Sequence, residues 1–356
     1  MKNFNLPKDY RPYIDKYFLR AKEILIQDYL NPIVKYQVFI RKGDCKVYGI
    51  DEAITILTKY SEKINKIYAL KEGSHINPSE TLMTIEAPVQ ELIDLETMYL
   101  GVLSAETTLK NDKKDINLID VNNRMGKIVD LVCDRPVSYF GARHWRYDRD
   151  YEISKICFDV GVKSCSTDIG ASSVGQKGIG TIPHALQAIY HWKYGLENAV
   201  TESTISFDRY MPKDIPRIAL VDYGNREVTD SIMTDYKVKN LYGVRIDTCG
   251  TNYIQGVSSL SSYGGKGVSP AGIYTLRKVL PKSVKIILSS GFGNPDKVKL
   301  FLRFEGLLKI KLFDMLGIGG VFESRMATSD IIEVDGQSIH KVGRPYRPND
   351  RLKRVI

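Results

Sequence analysis

From Val137 to Leu316 the chain repeats one pattern, a short apolar run followed by helical material and then another apolar run. The runs are Val137 to Phe140, Phe158 to Cys165, Gly178 to Ile182, Ile218 to Val221, Leu241 to Ile246, Val284 to Leu288 and Ile310 to Leu316. Strands buried on both faces read as continuous apolar runs, and helices supply the crossovers that parallel neighbours require. An eighth run is placed around Ile128 to Val132 or further on, a count that favours a closed, distorted βα (TIM-like) barrel over an open sheet.

Polar residues follow the runs with the same regularity. They are Arg143, Asp168, His184, Asp222, Arg245 with Asp247, Ser289-Ser290-Gly291, and Gly317-x-Gly319-Gly320. In a βα barrel the loops at the carboxyl ends of the strands build the active site. The spacing therefore predicts that these side chains converge on one ligand.

The first third of the chain has a different, mixed character. Tyr17 to Leu30 and Glu52 to Tyr60 carry apolar residues at helical spacing, Val34 to Ile40 alternates as a strand, and Leu82 to Pro88 reads as another after the turn at Asn77-Pro78. A long periodic stretch, Leu92 to Leu109, ends at the polar run Lys110 to Asp115. This predicts an N-terminal α/β (α+β) domain over 1–112 and a barrel over 113–330. Ile331 to Lys341 alternates again around a turn at Asp335-Gly336, so 331–356 is expected to return as strands to the N-terminal domain.

Composition narrows the function classes. At 356 residues, 43% hydrophobic and 26% charged, the chain is globular in character. No apolar stretch approaches the roughly 20 residues of a membrane span, and Met1 to Arg11 lacks the apolar core of a signal peptide, so a cytoplasmic protein is expected. Five dispersed cysteines without a C-x-x-C pair signal neither a disulfide framework nor a zinc site, and are read as buried thiols. The net charge of +9 admits nucleic acid, an acidic membrane face or small polyanions. The 22 tyrosines and the charge motivate a nucleic-acid-binding alternative, but no basic stripe appears; Arg344 to Arg354 reads as a solvated basic tail.

Individual motifs carry further chemistry. In Val244-Arg245-Ile246-Asp247-Thr248, Arg and Asp share one face of an extended strand. They form either a structural ion pair or a ligand grip in which Arg holds an anion and Asp accepts from hydroxyls. Ser289-Ser290-Gly291 and Gly317-x-Gly319-Gly320 are late glycine-bearing strand ends, where barrels commonly bind phosphate. His184 is the best placed of five histidines, although a lone His is more often structural. Tyr263-Gly264-Gly265-Lys266-Gly267 lacks the ending of a P-loop and reads as a surface loop.

Taken in order, these strings resemble the nicotinate phosphoribosyltransferase family, in particular its shorter archaeal-type branch. The resemblance runs through Tyr17-Phe18-Leu19-Arg20, Leu95-Glu96-Thr97-x-x-Leu100-Gly101-x-Leu103-Ser104, Phe140-Gly141-Ala142-Arg143, Gly180-Thr181-x-Pro183-His184-Ala185, Leu220-Val221-Asp222, Gly243-Val244-Arg245-x-Asp247-Thr248, Ser290-Gly291 and Gly317-x-Gly319. It implies a head-to-tail homodimer and a reaction in which a pyridine nitrogen displaces pyrophosphate from 5-phosphoribosyl-1-pyrophosphate, with Mg²⁺ and with ATP as co-substrate. Carried over, Arg143 and Arg245 bind base and phosphate, Asp247 the ribose hydroxyls, and Ser290, Gly291, Gly319 and Gly320 the 5-phosphate. Phe140 belongs to the base site, and Tyr17 stacks on the pyridine in the neighbouring subunit's site. His184 is the transiently phosphorylated histidine, oriented by Asp222. No dedicated protein metal site is implied.

Three departures stand out. His144 replaces the second Arg of many relatives, and Tyr223-Gly224-Asn225 departs from the acidic pattern after Asp222. Thr167-Asp168 resembles the Thr-Asp pair of nicotinamide phosphoribosyltransferases, since a carboxylate there would accept from an amide and repel the carboxylate of nicotinate. Nicotinate is the substrate expected from the branch, nicotinamide the alternative.

Overall fold

The computed structural model describes residues 4–257 and 263–356. Residues 1–3 of the polar opening stretch lie outside the described residues. In chain order the strands are β1 (Ile33–Ile40), β2 (Cys45–Lys46), β3 (Lys66–Ala69), β4 (His75–Ile76), β5 (Thr81–Pro88), β6 (Val137–Tyr139) and β7 (Ser164–Cys165). They continue with β8 (Arg217–Leu220), β9 (Leu241–Ile246), β10 (Lys285–Leu288), β11 (Met315–Ile318), β12 (Ala327–Val334), β13 (Gln337–Ser338) and β14 (Lys353–Arg354).

Two six-stranded sheets dominate. The first runs β13-β12-β1-β5-β3-β14, so the last three strands of the chain join those of its first third. The pairings of β1 with β5 and β12 and of β3 with β5 and β14 are antiparallel. The second sheet runs β7-β6-β11-β10-β9-β8 and is parallel throughout.

The expected barrel is corrected to a half-barrel. Among the described residues β7 and β8 are edges, and no strand closes the gap between them. Ile128 to Val132 is the end of a helix, Leu118–Val132, whose buried residues Val121, Met125, Ile128 and Val132 repeat at helical spacing. Phe158 lies in the helix Asp150–Asp159, leaving only Ser164–Cys165 as strand. Gly178 to Ile182 is a loop. A Cβ on Gly178 would lie 2.7 Å from the Thr167 carbonyl carbon, and one on Gly180 would lie 2.7 Å from the Tyr17 nitrogen. The segment is thus wedged between the N-terminal helix and the loop after β7.

The helix Glu96–Asp112 connects the two halves. It is buried on nearly every side, and a Cβ on Gly101 would stand 2.2 Å from the Trp145 carbonyl oxygen. Only glycine allows that approach, which sets Arg143 beside Glu96. Ser104 Oγ donates to the Leu100 carbonyl at 2.7 Å and accepts from the Ala327 N–H at 2.9 Å, tying the helix to β12. The N-terminal helix Lys16–Gln27 buries Tyr17, Phe18, Ala21, Ile24 and Leu25 along one face. Each large apolar side chain there contributes roughly 1.5–3 kcal/mol.

The C-terminal alternation begins at Ala327 rather than Ile331. Its first residues hide the pattern because Thr328, Ser329 and Asp330 line a cavity instead of an apolar core.

Candidate active site

A cavity of about 240 Å³ lies between the carboxyl ends of the parallel strands and the antiparallel sheet. Ten of the sequence-derived candidates line it: Tyr17, Phe140, Arg143, His184, Arg245, Asp247, Ser290, Gly291, Gly319 and Gly320. Asp222 stands behind His184, and Asp168 is elsewhere. Tyr17 lines the cavity of its own chain.

Arg245 is flanked by two aromatic rings. Its guanidinium carbon is 6.0 Å from the Tyr17 ring centroid and 5.9 Å from that of Phe140. One nitrogen donates to the Ile182 carbonyl at 3.4 Å, while the buried Nε has no partner among the described residues. Phe140 lies on Gly317, where a Cβ would stand 2.3 Å from the ring. Glycine at 317 is therefore required by the ring of Phe140, which comes from the end of a neighbouring strand.

Arg143 donates to Glu96 at 2.6 Å. Burial raises the Glu96 carboxyl to about 7 in spite of that cation. Asp15 is buried nearby, where burial pushes its pKa up and Arg143 pulls it down. It accepts from Thr97 at 2.9 Å through one oxygen, and the other has no partner among the described residues. His144 takes the place of a second Arg but not its charge. Burial, with Arg143 and Arg41 beside it, lowers its pKa to about 3 and leaves a neutral imidazole.

His184 opens the helix His184–Tyr194, and its Nε2 lies 3.1 Å from Asp222 Oδ1. Lys341, from the segment after β13, stands 3.1 Å from the same nitrogen and donates to Asp222 Oδ2. Asp222, whose side chain is fully buried, is held well below the usual carboxylate range by Lys341 and His184 against the cost of burial. His184 is lowered chiefly by burial and then by Lys341, with Asp222 opposing both.

The two glycine-bearing strand ends meet. Ser290 and Gly291 take left-handed φ of 69° and 84°, and a Cβ on Gly293 would lie 1.8 Å from the Gly320 carbonyl oxygen. Lys297, in the first turn of the helix Pro295–Leu308, donates to the Ser290 carbonyl at 2.8 Å. Burial brings it down to about 8. A helix N-terminus, backbone amides and a partly buried ammonium are together suited to hold an anion.

Asp168 is the clear correction. Thr167 caps the short helix Asp168–Ala171, and the Asp168 carboxylate turns to Lys16 at 2.6 Å and to the Gly178 N–H at 2.9 Å. It fastens the start of the N-terminal helix to the wedged glycine loop and does not reach the cavity. The basic tail also differs from expectation: Arg344 is buried, lines the cavity and pairs with Asp330 at 3.2 Å. Cys133 is exposed, while the other four cysteines are buried thiols.

Sequence reasoning missed Glu96, Arg41, Lys341, Asp330, Arg344 and Lys297. Glu96 sits inside a periodic helix that reads as core, Arg41 directly follows the strand read over Val34 to Ile40, Lys341 ends the alternating segment and Arg344 begins the basic tail. Two spaced cations directly after a strand were the available signal. Among the described residues no group of three or more His, Cys, Asp or Glu could hold a metal. The donors fit a Mg²⁺ that arrives with substrate phosphates and adds one carboxylate, for which Asp247 at the cavity wall is suited.

Comparison with known proteins supports the resemblance at the level of fold. Residues 15–106 match the family model of the quinolinate phosphoribosyl transferase N-terminal domain. The nicotinate phosphoribosyltransferase of Porphyromonas gingivalis superposes with a TM-score of 0.66 at 12% identity, covering 93% of this chain and 92% of that one. A putative nicotinate phosphoribosyltransferase of Saccharomyces cerevisiae gives 0.64 at 14%, covering 96% and 94%. The nicotinate-nucleotide pyrophosphorylase of Pyrococcus furiosus is 26% identical over 97% of this chain and 82% of that one, with a TM-score of 0.48. No curated protein matches the sequence. The chain has the nicotinate phosphoribosyltransferase fold, and among the described residues no helix is long and apolar enough to cross a membrane.

Proposed function

We propose that this protein transfers the phosphoribosyl group of 5-phosphoribosyl-1-pyrophosphate to nicotinate in pyridine nucleotide salvage, coupled to ATP through a phosphohistidine at His184. The observation that carries the reading is the single cavity in which Arg245 between Tyr17 and Phe140 lies together with the His184–Asp222 pair and the Ser290-Gly291 cradle. Two rings suit a flat aromatic base, and a cation between them suits its carboxylate.

In the reaction the bond from ribose C1 to pyrophosphate breaks and the pyridine nitrogen bonds to C1. The Ser290–Gly291 and Gly319–Gly320 backbone, with Lys297, holds the 5-phosphate. Asp247 accepts from the ribose hydroxyls and orients the ring. Arg143 and Arg41 face the leaving pyrophosphate, whose developing charge they offset in a partly enclosed site. When bound, Mg²⁺ supplies further neutralisation of that charge.

Nicotinate is favoured over nicotinamide because the one carboxylate that argued for the amide, Asp168, is engaged with Lys16 outside the cavity. Quinolinate is a second reading, motivated by the family match over residues 15–106. The test is product formation from 5-phosphoribosyl-1-pyrophosphate with nicotinate, nicotinamide and quinolinate in parallel, with and without ATP. Nicotinate mononucleotide stimulated by ATP is expected, with His184→Ala losing the stimulation and Arg245→Ala nearly all turnover. No product with any of the three bases would refute it. The homodimer belongs to the same proposal and is read by sedimentation.

A further inference from the structure

Lys341, His184 and Asp222 close a triangle whose three members come from different parts of the chain. Lys341 Nζ is 3.1 Å from His184 Nε2 and donates to Asp222 Oδ2, while Asp222 Oδ1 is 3.1 Å from that same Nε2. An ammonium has hydrogens to give and no lone pair to accept with. An Nε2–H would set its hydrogen against those of the ammonium, whereas a bare Nε2 and the Asp222 carboxylate are two acceptors that the one ammonium bridges, so the bare Nε2 accepting from Lys341 is favoured. A neutral His184 in that state carries its hydrogen on Nδ1 and has no lone pair free to attack phosphorus.

The backbone around Lys341 is fixed. The Val342 N–H donates to the Tyr223 carbonyl at 3.1 Å, and Asn252 Nδ2 donates to the Val342 carbonyl at 3.2 Å. Lys341 lines the cavity and is 6% exposed. What can move is its four-carbon stem, carrying a point charge that phosphate oxygens attract.

Resting on the reading that His184 accepts a phosphoryl group, we propose that Lys341 is a positioning residue that holds the His184–Asp222 pair inactive until a nucleoside triphosphate enters. In the free protein the ammonium sits on Asp222 and Nε2. When the triphosphate binds, the ammonium moves to its oxygens; Nδ1 gives its proton to solvent as Nε2 takes one from solvent, so that Nε2–H donates to Asp222 Oδ1 and Nδ1 is bared. Nδ1 then attacks the terminal phosphorus. The N–P bond forms as the P–O bond breaks, and the electron pair leaves on the diphosphate. Water later attacks the phosphorus, the N–P bond pair returns to Nδ1, and inorganic phosphate leaves. The charged groups around His184 are Asp222 from the loop after β8, Lys341 from the C-terminal segment and, at longer range, Asp247 beyond β9.

The experiment is ¹⁵N NMR of the histidine-labelled full chain, with His184 assigned by His184→Ala. The free protein is expected to show Nδ1–H at His184. Mg²⁺ with a non-hydrolysable ATP analogue should convert it to Nε2–H, and Lys341→Met should show Nε2–H without ligand. Lys341→Arg keeps the cation and should restore the ligand-dependent change, separating the effect from a folding defect. The same tautomer in the free wild type and in Lys341→Met overturns the proposal. Phosphoenzyme formation from γ-labelled ATP is measured beside it. A tautomer switch without phosphoenzyme leaves the Lys341 device standing and removes the ATP coupling on which its purpose rests; phosphoenzyme without a switch removes the device alone.

Discussion

Replacing Asp222 by Asn keeps the shape of the dyad and deletes the one charge that makes burial of Lys341 tolerable. The Asp222 side chain is fully buried and that of Lys341 is 6% exposed, so the ammonium would be left without a counter-charge. Breaking a buried pair from one side costs about 3–5 kcal/mol. Unfolding entropy near 2.1 cal/mol/K per residue, over 356 residues, turns that into a melting-point drop of about 4–7 °C at pH 7. Asp222→Asn/Lys341→Met should recover part of the deficit at pH 7, by differential scanning fluorimetry. The acid limb gives the sharper test, because the deficit should shrink there as the wild type loses the Asp222 contribution. Asp222 is depressed in the folded state, so its contribution is present above the unfolded carboxylate pKa and is lost as pH falls through the folded value. A deficit below about 1 kcal/mol, or one that does not change with pH, would refute the buried-charge argument.

Three further outcomes follow from particular residues. Asp168→Asn should leave the ratio of nicotinate to nicotinamide turnover unchanged and cost no more than about 1 kcal/mol, because its partner Lys16 is partly exposed; a reversed base preference would put Asp168 back in the site. Burial raises Asp150 to about 7, so the folded state binds the extra proton and wild-type stability should fall by a few kcal/mol between pH 4 and 7. Urea titrations should show that slope flattened in Asp150→Asn. Cys249 lines the cavity, and its hydrogen bonds from Thr251, with Lys341 and Arg344 nearby, lower its pKa against burial. Alkylation in a Cys133→Ser background should abolish turnover, 5-phosphoribosyl-1-pyrophosphate should slow it, and Cys249→Ser should resist it.

Much of the fold was legible because periodicity is a local property. The helix Lys16–Gln27, β1, β5 and β6 through β11 lie in or beside runs read from apolar spacing alone. The closed barrel was not, since the stretch Ile128 to Val132, four apolar residues around Asp130, reads equally as strand and as the end of a helix. Most of the candidate site was legible for a related reason. Phe140, Arg143, Asp247 and the two glycine pairs follow strands and Arg245 ends one, and strand ends put residues at the mouth of a sheet whatever the rest of the chain does; His184 follows an apolar run that folds as a loop.

What the sequence by itself determined is the inventory of the parallel half: which strands form, which polar residues end them, and which glycines lie where backbone must approach a ring or an anion. What only the tertiary structure decided is the opposite wall. Glu96, Arg41, Lys341 and Arg344 come from a buried helix, a strand end and a tail, and they meet His184 and Arg143 only because the C-terminal strands pair with β1 and β3. Asp168 shows the converse, a residue whose type and position matched a site but whose carboxylate was taken by Lys16 and Gly178. A side chain's type is written locally, but its partner is chosen by whatever distant segment packs nearest, and that choice fixes both its charge state and its use.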